Sequence, residues 1–241
     1  MENNTKRIKI LEQIAQAIYR EWFVYFRFPG HEKVKKVDSK TEFGKIPERW
    51  KVGQIKEIVN LLSGYAFKSN VFVNGGKYKV ITIKSVHDGQ FRPEGSDTVD
   101  ATPKNMPEHC YLDDDDILLS LTGNIGRACL VYGENLLLNQ RVAKLEYKKS
   151  NQPFVYGLFR NPDFQTQLQN LAIGAAQQNL SPIQTAKLEI VIPDVKILGL
   201  YGENTKPLLK EIVELNKQNC ILRQARDLLL PKLVTGEITV K

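Results

Sequence analysis

The 241-residue sequence predicts an α+β protein in which one globular domain, with a mixed or antiparallel sheet, lies between two long helices. Two observations support this prediction. Apolar residues recur at alternating steps of three and four near both ends of the chain, a spacing typical of coiled-coil seams. Between these ends, short β-branched runs are bounded by Gly, Asn, Asp and Pro, which is the pattern of strands joined by turns.

The first helix is predicted to extend from residue 4 to about residue 26. Its apolar seam consists of Ile8, Leu11, Ala15, Ile18, Trp22 and Tyr25. The helix is expected to end at Phe28-Pro29-Gly30, because proline and glycine terminate helices. We therefore assign residues 1–30 to an N-terminal spacer helix, and the charged residues 31–46, which lack an apolar period, to a linker.

The globular domain is assigned to residues 47–200. The runs that predict strands include residues 79–83, 117–121 and 189–192. Tight turns are predicted at Asn74-Gly75-Gly76 and at Asp88-Gly89. Helices are expected at about residues 154–160 and 163–173, with Pro162 at the start of the second one, so the domain mixes strands with a few helices.

The second long helix is predicted from about residue 207 to residue 235, in a last segment of residues 201–241, with Gly236 as its stop. Its seam consists of Leu208, Ile212, Leu215, Asn219, Leu222, Arg226, Leu229 and Leu233. A shift of 211 residues places Ile10-Leu11-x-Gln13 on Ile221-Leu222-x-Gln224, and it also places the first seam on the second. This internal repeat predicts a twofold-like assembly.

Composition sets broad limits on function. The net charge of +7 is compatible with a polyanionic partner, although it is weak support by itself. The sequence contains no uninterrupted apolar run of about 18 residues that would predict a membrane span. Residues 1–7 lack the apolar core of a signal peptide, and Cys110, Cys129 and Cys220 are far apart, so we expect a cytoplasmic protein without a disulfide framework.

Ordered motifs run through nearly the whole chain. They include Phe26-Arg27-Phe28-Pro29-Gly30, Ile46-Pro47-Glu48-x-Trp50, Ser63-Gly64-Tyr65-Ala66-Phe67-Lys68-Ser69, Asp116-Ile117-Leu118-Leu119-Ser120-x-Thr122-Gly123, Leu138-Asn139-Gln140, Gln177-x-Asn179-Leu180-Ser181 and Leu229-Leu230-Pro231-Lys232-Leu233-x-x-Gly236-Glu237-Ile238. In this order the motifs resemble those of the specificity subunits of type I restriction–modification systems, in a half-length form with one target recognition domain.

The resemblance implies a DNA sequence-recognition subunit that binds one half of a bipartite target in double-stranded DNA and docks methyltransferase and restriction subunits. It implies no catalysis, metal or cofactor in this chain, because the partner subunits would bind S-adenosylmethionine, ATP and magnesium. Complete family members carry two recognition domains, so the single copy implies a homodimer that forms through the spacer helices. The N-terminal helix can also cover part of the second seam within the chain. The residues expected in the spacer or at the dimer contact are Leu11, Ile18, Trp22, Leu208, Ile212, Leu215, Leu222, Leu229 and Leu233.

Candidate DNA contacts fall in polar or basic segments, and each has an ordinary structural alternative as a turn or surface residue. The first candidates are Tyr65 and Lys68 in one loop, and Lys84 and Arg92 beside the Asp88-Gly89 turn. A Gly-containing segment, for which a plain hairpin is the alternative interpretation, adds Thr122, Asn124 and Arg127. The others are Gln140, Arg141 and Lys144 on a basic edge, and Gln177, Gln178 and Asn179 before a strand. Glutamine and asparagine can pair with adenine edges, whereas the basic residues suit phosphates.

Other chemistries are disfavoured. Asp113-Asp114-Asp115-Asp116 would point to alternate sides of an extended segment, so we interpret it as an acidic turn that faces away from DNA rather than as a metal site. Asn161-Pro162-Asp163-Phe164 resembles the flipped-base loop of amino-methyltransferases but lacks its second proline. His31, His87 and His109 lie in separate segments. The alternatives are a stand-alone DNA methyltransferase or nuclease, and a coiled-coil scaffold that binds protein.

Overall fold

The computed structural model describes residues 1–173 and 178–238. In these ranges the α-helices are α1 (Glu2–Tyr19), α2 (Gln152–Arg160), α3 (Pro162–Ile173), α4 (Pro182–Thr185) and α5 (Val195–Val234). The sequence predicted α2 and α3 to within a few residues, and Pro162 is the first residue of α3 as expected. The start of α1 also agrees, but the regular α-helix ends at Tyr19, earlier than the predicted residue 26. None of the helices in the described ranges is long and apolar enough to cross a membrane.

The first helix departs from a regular α-helix near its end. A π-helical turn, Arg20–Val24, follows α1, and the chain then reaches Gly30 at a positive φ of 81°. The wider π-turn rotates the side chains that follow it away from their expected direction. Tyr25, which follows the turn, is therefore 50% exposed although it is inside the predicted seam. Tyr19 precedes the turn and is buried although it is outside that seam.

The last helix is longer than predicted. It begins at Val195, twelve residues before the predicted start, and Pro207 lies inside it. The side chain of Asp194 accepts a hydrogen bond from the backbone N–H of Lys196 at 2.8 Å and so caps the helix at its true beginning. The proposed domain division at residue 200 falls within this helix and stays a prediction.

α1 and α5 pack against each other in an antiparallel pair. Near one end of the pair Asn4 donates to Gln218 at 3.2 Å, and at the other end the rings of Tyr19 and Tyr201 are 6.4 Å apart. α1 therefore covers the first part of α5 within one chain. Residues 221–234 of α5 extend beyond the start of α1 and are exposed, apart from the half-buried Arg223.

The predicted helix seam is consequently divided between two environments. Trp22, Ile212 and Leu215 are buried, and the half-buried members of the intrachain part are Leu11, Ile18 and Leu208. The outer members remain accessible, with exposed fractions of 44% for Leu222, 48% for Leu229 and 39% for Leu233. The buried members of the nine predicted spacer and dimer residues are thus used within the chain. The dimer contact itself stays a prediction.

The strands between the helices, in chain order, are β1 (Lys36–Asp38), β2 (Lys45–Pro47), β3 (Lys51–Gln54), β4 (Val59–Ser63), β5 (Tyr78–Ile81), β6 (Val86–His87), β7 (Gln90–Phe91), β8 (Thr98–Val99), β9 (Tyr111–Leu112), β10 (Ile117–Ser120), β11 (Ala128–Leu130), β12 (Leu136–Leu138), β13 (Val142–Tyr147) and β14 (Glu189–Ile192). β1 and β2 form a hairpin inside the predicted linker. The turn at Asp88-Gly89 joins β6 to β7 as predicted.

Two four-stranded sheets form the centre of the globular domain. One has the antiparallel order β11-β10-β13-β4, and the other has the order β8-β5-β12-β9, in which β5 and β12 are parallel. All four residues of β10 are fully buried, because both faces of this strand are covered. The mixed α+β architecture predicted from the sequence is therefore confirmed.

An aromatic cluster joins the helix pair to the globular domain. The ring of Phe23 lies 4.7 Å from that of Tyr201 and 4.9 Å from that of Phe154, and Tyr19 lies 5.9 Å from Phe154. Gly157 of α2 allows this approach, since an added Cβ would be only 2.3 Å from Tyr19 Cδ2. Close contact between α1 and α2 thus requires a residue without a Cβ at position 157.

A buried polar network lies beside this cluster. Arg160 at the end of α2 forms ion pairs with Glu12 of α1, at 3.4 Å, and with Asp88 of the β6–β7 turn. The hydroxyl of Tyr156 donates to the second carboxylate oxygen of Glu12. Burial raises the pKa of Glu12 above its usual value, and the charge of Arg160 opposes this shift. The network fixes the position of α1 relative to the globular domain.

The acidic run Asp113–Asp116 supplies ion-pair partners to two other elements. Asp114 pairs with Lys217 of α5 at 2.6 Å, and Asp116 pairs with Lys144 of β13 at 2.7 Å. Within residues 1–173 and 178–238, no three His, Cys, Asp or Glu side chains are placed to hold a metal ion.

Candidate nucleic-acid interface

Three distant chain segments, together with Ile83, meet around a cleft of about 630 Å³ at one end of β10 and β13. The residues that line this cleft are Ile83, Leu121, Thr122, Gly123, Gln140, Arg141, Gln178, Asn179 and Leu180. Five of them, Thr122, Gln140, Arg141, Gln178 and Asn179, are DNA-contact candidates from the sequence analysis. The fold therefore brings together residues that lie up to 57 positions apart in the chain.

The first wall of the cleft is the connection between β10 and β11. Gly123 and Gly126 have positive φ angles of 67° and 80°, which glycine adopts without strain. Ser120 Oγ donates to the carbonyl of Asn124 and accepts from the backbone N–H of Arg127 at 3.1 Å. The hairpin alternative for this Gly-containing segment is thus correct as a description of its backbone, and its Ser120 bonds hold the turn in place.

The second wall is the connection between β12 and β13. The backbone N–H of Gln140 donates to the carbonyl of Tyr65 at 3.0 Å, and Leu121 N–H donates to the carbonyl of Arg141, also at 3.0 Å. The side chain of Asn139 accepts from Arg141 N–H at 3.3 Å. Gln140 and Arg141 therefore have fixed backbones and exposed side chains.

The third wall is the short segment before α4. Asn179 forms an isolated antiparallel bridge with Thr122, and Leu180 N–H donates to the carbonyl of Leu121 at 2.8 Å. Leu180 is 2% exposed and anchors the segment in the core. The side chains of Gln178 and Asn179 are exposed at the cleft. Gln177, the remaining candidate of this group, lies outside the described residues.

The polar groups of the cleft are open to a ligand. Within residues 1–173 and 178–238, the side chains of Gln140, Arg141, Gln178 and Asn179 form no hydrogen bond or ion pair. Thr122 Oγ1 is buried and has no hydrogen-bond partner in the same ranges. The exposed amides and the guanidinium can exchange their hydrogen bonds to water for bonds to a ligand, so the cleft is suited to a ligand with many hydrogen-bonding groups.

A second group of candidates lies around His87 and apart from the cleft. Burial lowers the pKa of His87, and the positive charges of Arg92 and Arg127 lower it further. Arg92 also donates to the side chain of Gln90 at 2.6 Å. Lys84 is exposed near this group, which forms a basic surface beside the β6–β7 hairpin.

The remaining candidates have structural contacts. Tyr65 is half-buried and its hydroxyl donates to Asn105 at 2.9 Å, whereas Lys68 is exposed. Asn124 contributes its carbonyl to the turn described above. Lys144 is the weakest candidate for a phosphate contact, because its ammonium group is paired with Asp116 and its side chain is 18% exposed.

Sequence reasoning missed the apolar residues of the cleft. Ile83, Leu121 and Leu180 form part of its lining, and Gly123 fits closely enough that an added Cβ would be 3.1 Å from Ile83 Cδ1. No feature of the local sequence marks them as cleft residues, because leucine and isoleucine in strand-like runs are found in the core of any globular protein.

Amide and guanidinium groups on hydrogen-bonded loops are the kinds of group with which proteins contact base edges and phosphates. Residues 47–222 match the family described as type I restriction modification DNA specificity domain. The chain therefore belongs to this family, as the motifs predicted.

Similar proteins include two specificity subunits. The chain is 28% identical to that of the type I restriction enzyme MjaVIII from Methanocaldococcus jannaschii, over 98% of this chain and 56% of the relative. It is 22% identical to that of HindI from Haemophilus influenzae, over 99% and 64%. A solved S subunit from M. genitalium has a TM-score of 0.59 at 18% identity, over 96% and 56%. The chain thus spans little more than half the length of these relatives.

Proposed function

We propose that this chain is the DNA-recognition subunit of a type I restriction–modification complex and binds one half of a bipartite target in the cytoplasm. The observation that carries the proposal is the cleft, where exposed amides and the guanidinium of Arg141 meet on hydrogen-bonded loops. The family match and the net charge of +7 support it. In this proposal methyltransferase and restriction subunits dock on the chain and supply all catalysis.

The alternatives differ from this proposal in measurable ways. A stand-alone methyltransferase would transfer methyl groups from S-adenosylmethionine to DNA without a partner subunit. A protein-binding scaffold would give no salt-dependent shift of random duplex DNA in a gel. The proposed recognition subunit shifts DNA and transfers no methyl group by itself.

Arg141→Gln is expected to weaken binding to all DNA sequences by a similar factor. The side chain of Arg141 is exposed and has no partner among the described residues. It carries one positive charge, so its replacement removes about one phosphate contact. The slope of log K against log salt concentration should then fall in magnitude by about one. Titrations of labelled duplex at several salt concentrations measure this slope.

Arg49→Gln is the matched control, because Arg49 is exposed and does not line the cleft. It should change the slope less than Arg141→Gln. Equal effects of the two variants would show that Arg141 acts only through net charge, and wild-type binding that is insensitive to salt would contradict the proposed function.

We propose further that the chain forms a homodimer through residues 221–234. The exposed residues Leu222, Leu229 and Leu233 continue the seam that α1 covers in the first part of α5. By the 211-residue repeat they correspond to Leu11, Ile18 and Trp22, which are half-buried or buried on α5. An antiparallel pair of these outer segments would place Leu222 of one copy near Leu233 of the other, and thus remove both from water.

The double variant Leu222→Glu/Leu229→Glu is expected to be monomeric and folded. Both side chains are exposed within the chain, so the new charges affect only an interface between chains. Light scattering at micromolar concentration gives the mass, and circular dichroism checks the fold.

Leu228→Glu is the matched control, because Leu228 is 70% exposed and off the seam. A wild-type monomer would contradict this proposal. Leu215, at 2% exposure, is unsuitable for the test because a charge there would disrupt packing against α1.

A further inference from the structure

A second groove, of about 940 Å³, lies between α1, α5 and the β6–β7 hairpin and shares no residue with the cleft described above. We call it the basic groove. Its wall on α1 is a strip along one face of the helix, formed by Lys9, Gln13, Gln16 and Arg20. At about 1.5 Å per residue this strip is about 16 Å long, which is the length of an extended peptide of about five residues.

The charges left free in the basic groove are positive. Its lining contains six basic and three acidic side chains. Arg160 and Arg223 of this lining form ion pairs with all three acidic ones. Lys9, Arg20 and Arg92 are exposed and form no ion pair in the part of the chain that the structure describes. This uncompensated charge favours an anionic partner.

Polar atoms of the groove lining also lack hydrogen-bond partners. Asn219 is 3% exposed, and its Oδ1 accepts no hydrogen bond within residues 1–173 and 178–238. The amide nitrogen and oxygen of Gln16 and the Nε of Arg160 are also buried, and they too form no hydrogen bond in these ranges. A buried donor or acceptor without a partner costs free energy. Because these atoms include acceptors as well as donors, an occupant that bonds them must offer both kinds of group.

A polypeptide backbone offers both kinds of group, with one N–H donor and one C=O acceptor at each residue other than proline. The phosphates of DNA offer acceptors only, so they suit the free cations but not Oε1 of Gln16 or Oδ1 of Asn219. The donors of the bases face the grooves of the double helix. An acidic peptide therefore matches the free cations and the unbonded amides together, whereas the DNA backbone matches only the cations.

We propose that the basic groove binds an extended, acidic segment of a partner protein. The backbone of this segment bonds Gln16 and Asn219, and its carboxylates pair with Lys9, Arg20 and Arg92. The basic groove is separate from the cleft, so the inference goes beyond the proposed DNA-binding function and does not depend on it.

The first test selects binders of the full chain from a random peptide library. The selected sequences should be enriched in Asp and Glu, and a synthetic copy should bind more weakly when its carboxylates are replaced by amides or when the salt concentration rises. Lys9→Gln/Arg20→Gln should weaken the binding of this peptide by about two- to 25-fold, as expected for the loss of two exposed ion pairs. Lys33→Gln/Lys35→Gln is the matched control, because it removes two exposed charges outside the groove, and it should bind the peptide like wild type.

Gln16→Met tests the contribution of the buried amide. Methionine keeps the length of the side chain but loses the strong donor and acceptor. The affinity for the selected peptide should fall by about two- to tenfold, the effect of one hydrogen bond. The free energy of unfolding, measured in urea without peptide, should stay equal or rise, because the amide of Gln16 bonds no other group among the described residues.

Three results would overturn the proposal. Wild type could select no acidic peptides, or the groove and control double variants could bind the selected peptide equally well. Saturating random duplex DNA could also displace the peptide, with DNA binding weakened by Lys9→Gln/Arg20→Gln as much as peptide binding, which would make the groove part of the DNA-binding surface. If the chain binds the acidic peptide but no DNA, the proposed function fails and this inference stands.

Discussion

Gly157→Ala is expected to lower the free energy of unfolding by about 1–3 kcal/mol, the usual cost of overpacking a core. The new Cβ would lie 2.3 Å from Tyr19 Cδ2 and 2.8 Å from its Cγ. Tyr19 is 4% exposed and its ring is surrounded by Phe23, Phe154 and Tyr201, so it has no free space to move into. The substitution should push α1 away from α2 and outweigh the better helix propensity of alanine, which is about 1 kcal/mol.

Gly199→Ala is the matched control for this experiment. Gly199 also lies in a helix, α5, but a Cβ there would meet no atom within 4 Å. Alanine should therefore stabilise the protein at this position by about 0.5–1 kcal/mol. Urea unfolding followed by circular dichroism measures both changes, and a Gly157→Ala protein as stable as Gly199→Ala would contradict the close approach of the two helices.

Elements with strong local signals could be predicted from the sequence. α3 begins at Pro162, which is already suited to a first helical turn, and β14 coincides with a β-branched run. The turn at Asp88-Gly89 is a two-residue connection with Gly89 at a φ of 68°. In each case the residues that determine the structure are neighbours in the chain.

The start of α5 could not be predicted because packing overrides a local rule. Pro207 lacks an N–H and normally marks the beginning of a helix. Here Leu198 and Tyr201, which precede it, are buried against the rest of the protein and keep the earlier turns helical. Because proline has no N–H, the helical hydrogen bond to the carbonyl of Glu203 is missing. Pro207 and Glu203 are both exposed, so water can bind this carbonyl, and the free-energy cost of a proline inside the helix is lower.

The candidate cleft was predictable in its residue types but not in its assembly. Gln140, Arg141 and Asn179 stood out because amides and arginines suit DNA, whereas their proximity depends on sheet register and on the bridge to Thr122. The same limitation explains why Lys144 was a candidate for a phosphate contact although its ammonium group is paired with Asp116. It was selected for its charge, and only the pairing of β10 with β13 places Asp116 beside it.

Arg160→Met is expected to be the most damaging of these substitutions, with a loss of about 3–5 kcal/mol of stability, which is typical when one partner of a buried ion pair is removed. Methionine retains much of the aliphatic volume of arginine but leaves the carboxylate of Glu12 buried without its counter-ion. Asp88, the other partner, is about half exposed and can be hydrated instead. Tyr156 would still donate a hydrogen bond to Glu12 but cannot neutralise its charge.

The loss should depend on pH in a defined direction. Burial raises the pKa of Glu12 in the folded protein, and removal of Arg160 raises it further, because the opposing charge is gone. The folded variant then holds a proton that the unfolded chain releases, so its stability falls as pH rises from the ordinary glutamate range through the folded-state pKa. The free energy of unfolding that the variant loses relative to wild type should be smallest in acid and largest at neutral and alkaline pH, as measured by urea unfolding at a series of pH values.

Glu12→Gln/Arg160→Met removes both charges and should recover much of the stability at neutral pH. A deficit that is equally large at every pH, and unchanged in the double variant, would mean that Arg160 acts through packing rather than through the charge of Glu12.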